Sequence, residues 1–229
     1  MKNYATTVLG VSILLALIAA CATNQYVSVV PGVTSFGQMR VTIGEGWLRA
    51  PASLIPEELS LSRTLTRENL EQDRLMIIPG VSDGEAIFQD RNDASSLPFF
   101  AENMNPEQIA AMVGQSMQRT LWNGNATVAI KDARDHGYHG IAGFVFDLEV
   151  NMSSGPDHKG AAGGFVYEDR LYVIIYSAEY PEYFDRRIDD VRHLIDSTTV
   201  RIKTIRMSAI SSSQSGKALS FPAWLLNAR

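Results

Sequence analysis

Residues 171–177 constrain the fold more than any other stretch, because the three residues at their centre, 173–175, are all apolar. Successive side chains of a β-strand point to opposite faces of its sheet, so this strand is apolar on both faces. It is predicted to lie inside a sheet that helices cover front and back. Residues 163–167 are predicted to form the preceding strand. The turn at Glu168-Asp169 could hold two or three residues, which decides which faces of the two strands coincide.

Two segments have the spacing of helices that bury one face. The first begins at Asn105, which can cap the helix, while Pro106 suits the first helical position and Gln108 completes a capping box. The residues that recur at helical spacing and form its buried face are Ile109, Met112, Val113, Ser116, Met117 and Thr120. The second helix opens at Pro181. Its apolar stripe consists of Phe184, Ile188, Val191 and Ile195. Both faces are predicted to pack against the sheet.

The remaining strands are predicted from short apolar or alternating segments. They fall at residues 39–47, 62–66, 74–78, 126–133, 138–152 and 198–202, with a possible strand at 26–30. Pro79-Gly80 is expected to end the strand at 74–78. The sequence therefore predicts an α+β fold, with a predominantly antiparallel sheet flanked by two main helices in an α/β/α sandwich.

The N-terminus has the pattern of a secretory signal peptide. Lys2 precedes an apolar run at residues 8–18, and the small residues Ala19 and Ala20 follow it. The run is shorter than the about 20 apolar residues that a membrane-spanning helix needs. Residues 1–20 are therefore expected to be removed from the mature protein.

The end of this segment resembles the lipobox of bacterial lipoproteins, with Ile18 in place of the usual leucine and Cys21 at the modified position. The resemblance implies transfer of diacylglycerol to the Cys21 sulfur, cleavage between Ala20 and Cys21, and acylation of the new amino group. Ala22, rather than aspartate, favours the outer over the inner membrane. The alternative is an ordinary signal peptide or short anchor with an incidental cysteine.

Four divisions of the chain are predicted: signal peptide 1–20, lipidated tether 21–38, a single α+β domain 39–202, and a basic C-terminal tail 203–229. The chain carries 20 basic and 25 acidic residues, a net charge of −5, which argues against general nucleic-acid binding. The tail has four basic residues and no acid, and it ends in an apolar cluster at residues 224–226. It could fold back on the domain or act as an arm towards a membrane or partner.

The sequence contains no Ser-x-x-Lys or Walker-type motif, and no catalytic residue, metal or cofactor is predicted. Two groups of polar residues are candidates for a site. His136 and His139 could ligate zinc, although their spacing fits no regular motif and surface turn positions are favoured. Asp147 and Glu149 could act as acid and base, although a polar strand face is the favoured interpretation.

Several short stretches resemble a family of uncharacterised proteobacterial lipoproteins. These stretches are residues 73–75, 84–88, 144–147 and 170–172. The order of elements over about 39–202 also looks like the sandwich fold of photosystem extrinsic subunits, the PsbP-like fold. The resemblance implies a fold and a location, and it carries no catalytic residues across. We therefore expect a membrane-anchored envelope protein that binds another protein or supports an assembly. The alternative is a small-ligand-binding or hydrolytic envelope enzyme.

Overall fold

The computed structural model of the chain describes residues 25–89, 97–122 and 124–201. The predicted signal peptide, Cys21 and the tail from residue 203 lie outside these residues. The strands are β1 (Val27–Ser28), β2 (Gly32–Phe36), β3 (Met39–Ile43), β4 (Leu48–Arg49), β5 (Arg63–Thr66), β6 (Asp73–Ser82), β7 (Ala126–Tyr138), β8 (Ile141–Met152), β9 (His158–Tyr167), β10 (Arg170–Glu179) and β11 (Thr199–Val200). The α-helices are α1 (Pro106–Thr120), α2 (Glu182–Asp185) and α3 (Ile188–Asp196), and two short 3₁₀ helices span Ala52–Leu54 and Glu57–Leu59.

The described strands form two antiparallel sheets. The main sheet has eight strands in the order β1-β4-β5-β6-β10-β9-β8-β7, and a small sheet has the order β11-β3-β2. Helix α1 packs on β7 and β8, while α3 packs on β9 and β3. The sheet-dominated α+β class predicted from the sequence is confirmed, and one face of the main sheet is covered by α3 together with the small sheet.

The position of β10 confirms the prediction for residues 171–177. It lies between β6 and β9, and its side chains enter two separate buried clusters. Val173 and Ile175 belong to the cluster beneath α1, whereas Ile174 belongs to the cluster beneath α3. The turn holds two residues, since Tyr167 pairs with Arg170. Both turn residues have positive φ, 48° and 58°, which is the geometry of a type I′ hairpin.

Helix α1 begins as predicted. The Asn105 side chain accepts a hydrogen bond from the backbone N–H of Gln108, and the Gln108 side chain accepts one from the backbone N–H of Asn105, both at 2.9 Å. These two bonds satisfy amides that have no partner inside the helix. All predicted face residues of this helix are buried except Thr120, which is partly exposed.

The second predicted helix is divided into α2 and α3. Arg187 interrupts it, because its φ of −124° departs from the helical range. Val191 and Ile195 are buried as predicted, but Phe184 and Ile188 are only half-buried. The prediction of two main helices therefore holds in part, with one long helix and a shorter, divided one.

The segment predicted as a tether differs from the expectation, because most of its described part belongs to the fold. Strand β1 pairs with β4, and β2 pairs with β3 along its whole length. The Val29 amide also donates a 2.8 Å hydrogen bond to the Trp47 carbonyl oxygen. The backbone N–H and C=O groups of this segment are therefore paired with other strands, whereas those of an extended tether would be hydrogen-bonded to water.

Several strand boundaries also differ from the prediction, and β9 begins at His158 rather than at residue 163. Strand β6 continues through Pro79-Gly80, because its pairing with β10 shifts there and the two residues are accommodated in a bulge. Strand β3 ends at Ile43, and a turn with Gly46 at φ 78° leads into β4. Strand β7 continues to Tyr138 rather than ending at Ala133, with a register shift between Lys131 and Arg134.

Candidate functional site

Two of the four polar candidates, His136 and Asp147, line one cleft. It has a volume of about 190 Å³ and lies between α3 and strands β7, β8 and β9. Its other charged residues are Arg134, Arg192 and Asp196, and we call it the α3 cleft. The β7–β8 pairing places His136 opposite Gly143.

Four of the polar side chains of the α3 cleft form two pairs. The Arg192 guanidinium lies 3.2 and 3.3 Å from the two carboxylate oxygens of Asp147. The His136 Nε2 atom lies 3.4 Å from an oxygen of Asp196. Arg192 and Asp196 are four residues apart on α3 and therefore project from the same side of the helix. One ion pair and one histidine–carboxylate contact thus connect α3 to the neighbouring strands.

The other two candidates lie elsewhere. Glu149 is on the same side of β8 as Asp147 but contacts Lys131, at 3.5 Å, and does not line the cleft. His139 is exposed in the turn between β7 and β8, with φ 49°. The His136–His139 pair considered for zinc is not brought together around one point. Within the described residues, no group of three or more histidine, cysteine or acidic side chains is arranged to hold a metal ion.

Tyr138 lies beneath the cleft and is buried, with 1% of its surface exposed. Its hydroxyl donates a 3.2 Å hydrogen bond to the Phe144 carbonyl oxygen, and its ring contacts His136 with 4.7 Å between centroids. Burial raises the pKa of Tyr138, and the negative charge of Asp196 raises it further. The phenol is therefore protonated at neutral pH and serves as a fixed hydrogen-bond donor.

Three residues of the cleft were missed by the sequence reasoning: Arg134, Arg192 and Asp196. A usable signal existed for two of them, because Arg192 and Asp196 are at helical spacing beside the predicted apolar stripe. Arg134 carried no such signal, since its place on β7 depends on the register shift after Lys131. The partners of Arg192 and Asp196 can be identified only when the position of α3 over β9 is known.

The chain is similar in fold to a cyanobacterial PsbP protein, CyanoP, from Synechocystis sp. PCC 6803, whose structure was determined in solution. The two chains share 9% sequence identity with a TM-score of 0.51, and the match covers 75% of this chain and 94% of CyanoP. At this identity the likeness shows a PsbP-like fold alone. No protein-family model and no curated protein sequence matches the chain. None of the described helices has the length and apolar character needed to cross a bilayer.

Proposed function

We propose that this protein is a lipoprotein of the bacterial cell envelope, of proteobacterial type, anchored through Cys21 and facing the periplasm. Its domain, a PsbP-like sandwich with helices on both faces of the sheet, binds another envelope protein or supports an assembly. The segment from Lys2 to Cys21 supports the anchor, and Ala22 favours the outer membrane. Two or more acyl chains give stable attachment, whereas a single chain holds a protein only marginally.

One observation carries the non-enzymatic part of the proposal: His136, Asp147 and Glu149 each lie beside a group that can carry the opposite charge. The side chains in these pairs are between 29% and 59% exposed. Catalytic acids and bases are usually tuned by burial or by like charges. Of these partly exposed pairs, the two that involve Arg192 and Asp196 instead hold α3 beside the sheet, and an exposed pair contributes about 0–1 kcal/mol to stability.

A second candidate function is binding or hydrolysis of a small molecule in the α3 cleft. It is favoured by the convergence of His136 and Asp147 with two arginines in one concave site. Crosslinking in cells followed by mass spectrometry separates the two functions, with wild type compared to a His136→Gln/Asp147→Asn variant. The assembly role predicts the same crosslinked partner for both proteins. A lost partner at unchanged melting temperature would place the protein-binding surface at the cleft, whereas no crosslinked partner for wild type would favour the small-molecule function.

The anchor is tested by Cys21→Ser, because serine lacks the sulfur that receives the diacylglyceryl group. Palmitate labelling should be abolished, and the protein should leave the membrane fraction. Ala22→Ser is the matched control, since it makes a similarly small change at the next position and should keep the label. Unchanged labelling and fractionation of the Cys21→Ser variant would refute the lipoprotein assignment.

A further inference from the structure

A second concave surface lies far along the main sheet from the α3 cleft. It runs between the β1-β4-β5 edge and the small sheet and has a volume of about 660 Å³. Its apolar lining includes Phe36 and Ile43 from the small sheet and Leu65 from β5, with Ile55 from the segment after β4. We call it the edge groove.

Apolar side chains are unusually exposed around the edge groove. Val30 lines it and is 81% exposed, while Val27 on β1 is 56% exposed. Leu54, next to the lining residue Ile55, is 48% exposed. Large apolar side chains gathered around one concave surface indicate an interaction site, whereas scattered ones need no explanation.

Two arginines give the edge groove a positive charge. Arg49 on β4 pairs with Leu65, and Arg63 lies two residues earlier on β5, so both side chains are on the same face. Diagonal neighbours of this kind are about 7–8 Å apart. None of the described residues that line the groove is acidic. Among the described residues, neither arginine has a carboxylate within ion-pair distance, while Glu57 and Glu58 each have an interaction of their own.

The groove also lies close in sequence to the proposed anchor. Val27 is six residues beyond Cys21, and an extended chain of that length reaches about 20 Å. A domain attached at Cys21 would therefore hold β1 and the groove near the bilayer surface. Exposed valines suit the boundary between headgroups and acyl chains, and guanidinium groups bind phosphate oxygens through paired hydrogen bonds.

We propose that the edge groove and its rim dock on the anionic phospholipid headgroups of the membrane that carries the anchor. Arg49 and Arg63 bind headgroup phosphates, and Val27, Val30 and Leu54 enter the interface. The proposal rests on the anchoring proposed above, and it adds a second contact that fixes the orientation of the domain. Because the whole chain is acidic, a local positive surface such as the groove is where an anionic membrane attracts the domain.

The test uses the lipidated full chain with Val30→Cys, whose thiol carries an environment-sensitive fluorophore. The protein is reconstituted in phosphatidylcholine vesicles with or without phosphatidylglycerol, and quenching by aqueous iodide is measured. The label should be protected only when phosphatidylglycerol is present. Arg49→Gln/Arg63→Gln should lower the ratio of docked to undocked protein about thirtyfold, because each basic residue near an anionic surface contributes about 1 kcal/mol.

Two controls accompany this measurement. Arg119→Gln/Arg170→Gln removes the same charge from exposed positions outside the groove and should leave the protection unchanged. A label at Gln115→Cys, on the exposed side of α1, should be quenched equally in both kinds of vesicle. Protection that is independent of phosphatidylglycerol or of the two groove arginines overturns the docking proposal. Protection seen only in native envelope vesicles would assign the surface to a protein partner and overturn it as well.

The anchor and the docking surface can fail separately. Mass spectrometry of the same preparation shows whether Cys21 carries lipid. If it does not, the anchoring proposal is wrong, and flotation of the full chain with phosphatidylglycerol vesicles then tests the groove alone. If flotation depends on Arg49 and Arg63, the docking proposal still holds. If flotation does not depend on them, the docking proposal is refuted.

Discussion

Gly163→Ala should destabilise the protein by bringing one methyl group between the main sheet and α3. Gly163 lies on β9 between Val145 of β8 and Ile174 of β10. A Cβ atom there would overlap the Tyr138 hydroxyl oxygen and lie 2.5 Å from Cγ2 of Ile195. Neither neighbour can move freely, because Tyr138 is 1% exposed and Ile195 is 3% exposed.

The expected cost is the sum of two effects. Overpacking of a close-packed core costs about 1–3 kcal/mol. Displacement of the Tyr138 ring also breaks its hydrogen bond to the Phe144 carbonyl, which adds about 1 kcal/mol. The free energy of unfolding should therefore fall by about 2–4 kcal/mol. For a domain of this size, that is a decrease in melting temperature of about 5–15 °C.

Urea titration followed by circular dichroism measures the change in the free energy of unfolding. Gly137→Ala is the matched control, since a Cβ atom at Gly137 meets no other atom within 4 Å and the cost should stay within about 0.5 kcal/mol. Tyr138→Phe should partly rescue Gly163→Ala, with a coupling energy of at least about 0.5 kcal/mol, because the overlapping oxygen is removed. Equal costs at Gly163 and Gly137, or strict additivity with Tyr138→Phe, would refute the packing argument.

Two further predictions concern α2 and His158, at the half-buried start of β9. Phe184→Ala should lower the free energy of unfolding by about 1–2 kcal/mol, as measured by urea titration, because Phe184 is half-buried. Truncation of a fully buried phenylalanine costs about 3–5 kcal/mol, and a loss of that size would contradict this placement. Burial, and then the nearby positive charge of Arg74, lower the pKa of His158 in the folded state. The associated stability is present above about pH 6.5 and is lost as the pH falls from there to the lowered folded value, because the unfolded chain binds the proton first. The decrease in melting temperature over this range should be smaller in His158→Gln than in the control His139→Gln, and equal decreases would count against it.

The parts of the fold that the sequence predicts best are those determined by local periodicity or local hydrogen bonds. The three apolar residues at 173–175 sufficed to place β10 inside the sheet, because no other position buries both faces of a strand. Asn105 and Gln108 located the start of α1, because their reciprocal bonds involve only neighbouring residues. Each of these signals lies within a few residues of the structure that it predicts.

Features that depend on pairing between distant segments could not be predicted. The Glu168-Asp169 turn adopts positive φ at both residues without glycine, so its length became clear only from the pairing of Tyr167 with Arg170. Pro79 was expected to end a strand, yet the bulge against β10 accommodates it. The α3 cleft is a stronger case, because Asp147 and its partner on α3 are 45 residues apart.

The site predictions show the same limit. Asp147 and Glu149 share one side of β8, which the alternation indicated, but their partners separate them into different ion pairs. The edge groove had no sequence signal at all, since its arginines lie on strands four residues or fewer in length. The sequence shows the chemistry of each side chain, whereas the order of the strands in the sheet is needed to predict which side chains are in contact.

Strand β7 has a further consequence, which concerns how copies of this protein behave when they are concentrated. It forms one margin of the main sheet, and over thirteen residues its outer side has no neighbouring strand among the residues that the structure describes. Such a margin is a template for edge-to-edge aggregation. The register shift after Lys131, with Asp132 at φ 51°, breaks its regularity, and exposed charges at Lys131, Arg134 and Asp135 oppose the approach of an identical strand. The same irregularity that obscured this strand in the sequence thus protects the folded protein against polymerisation.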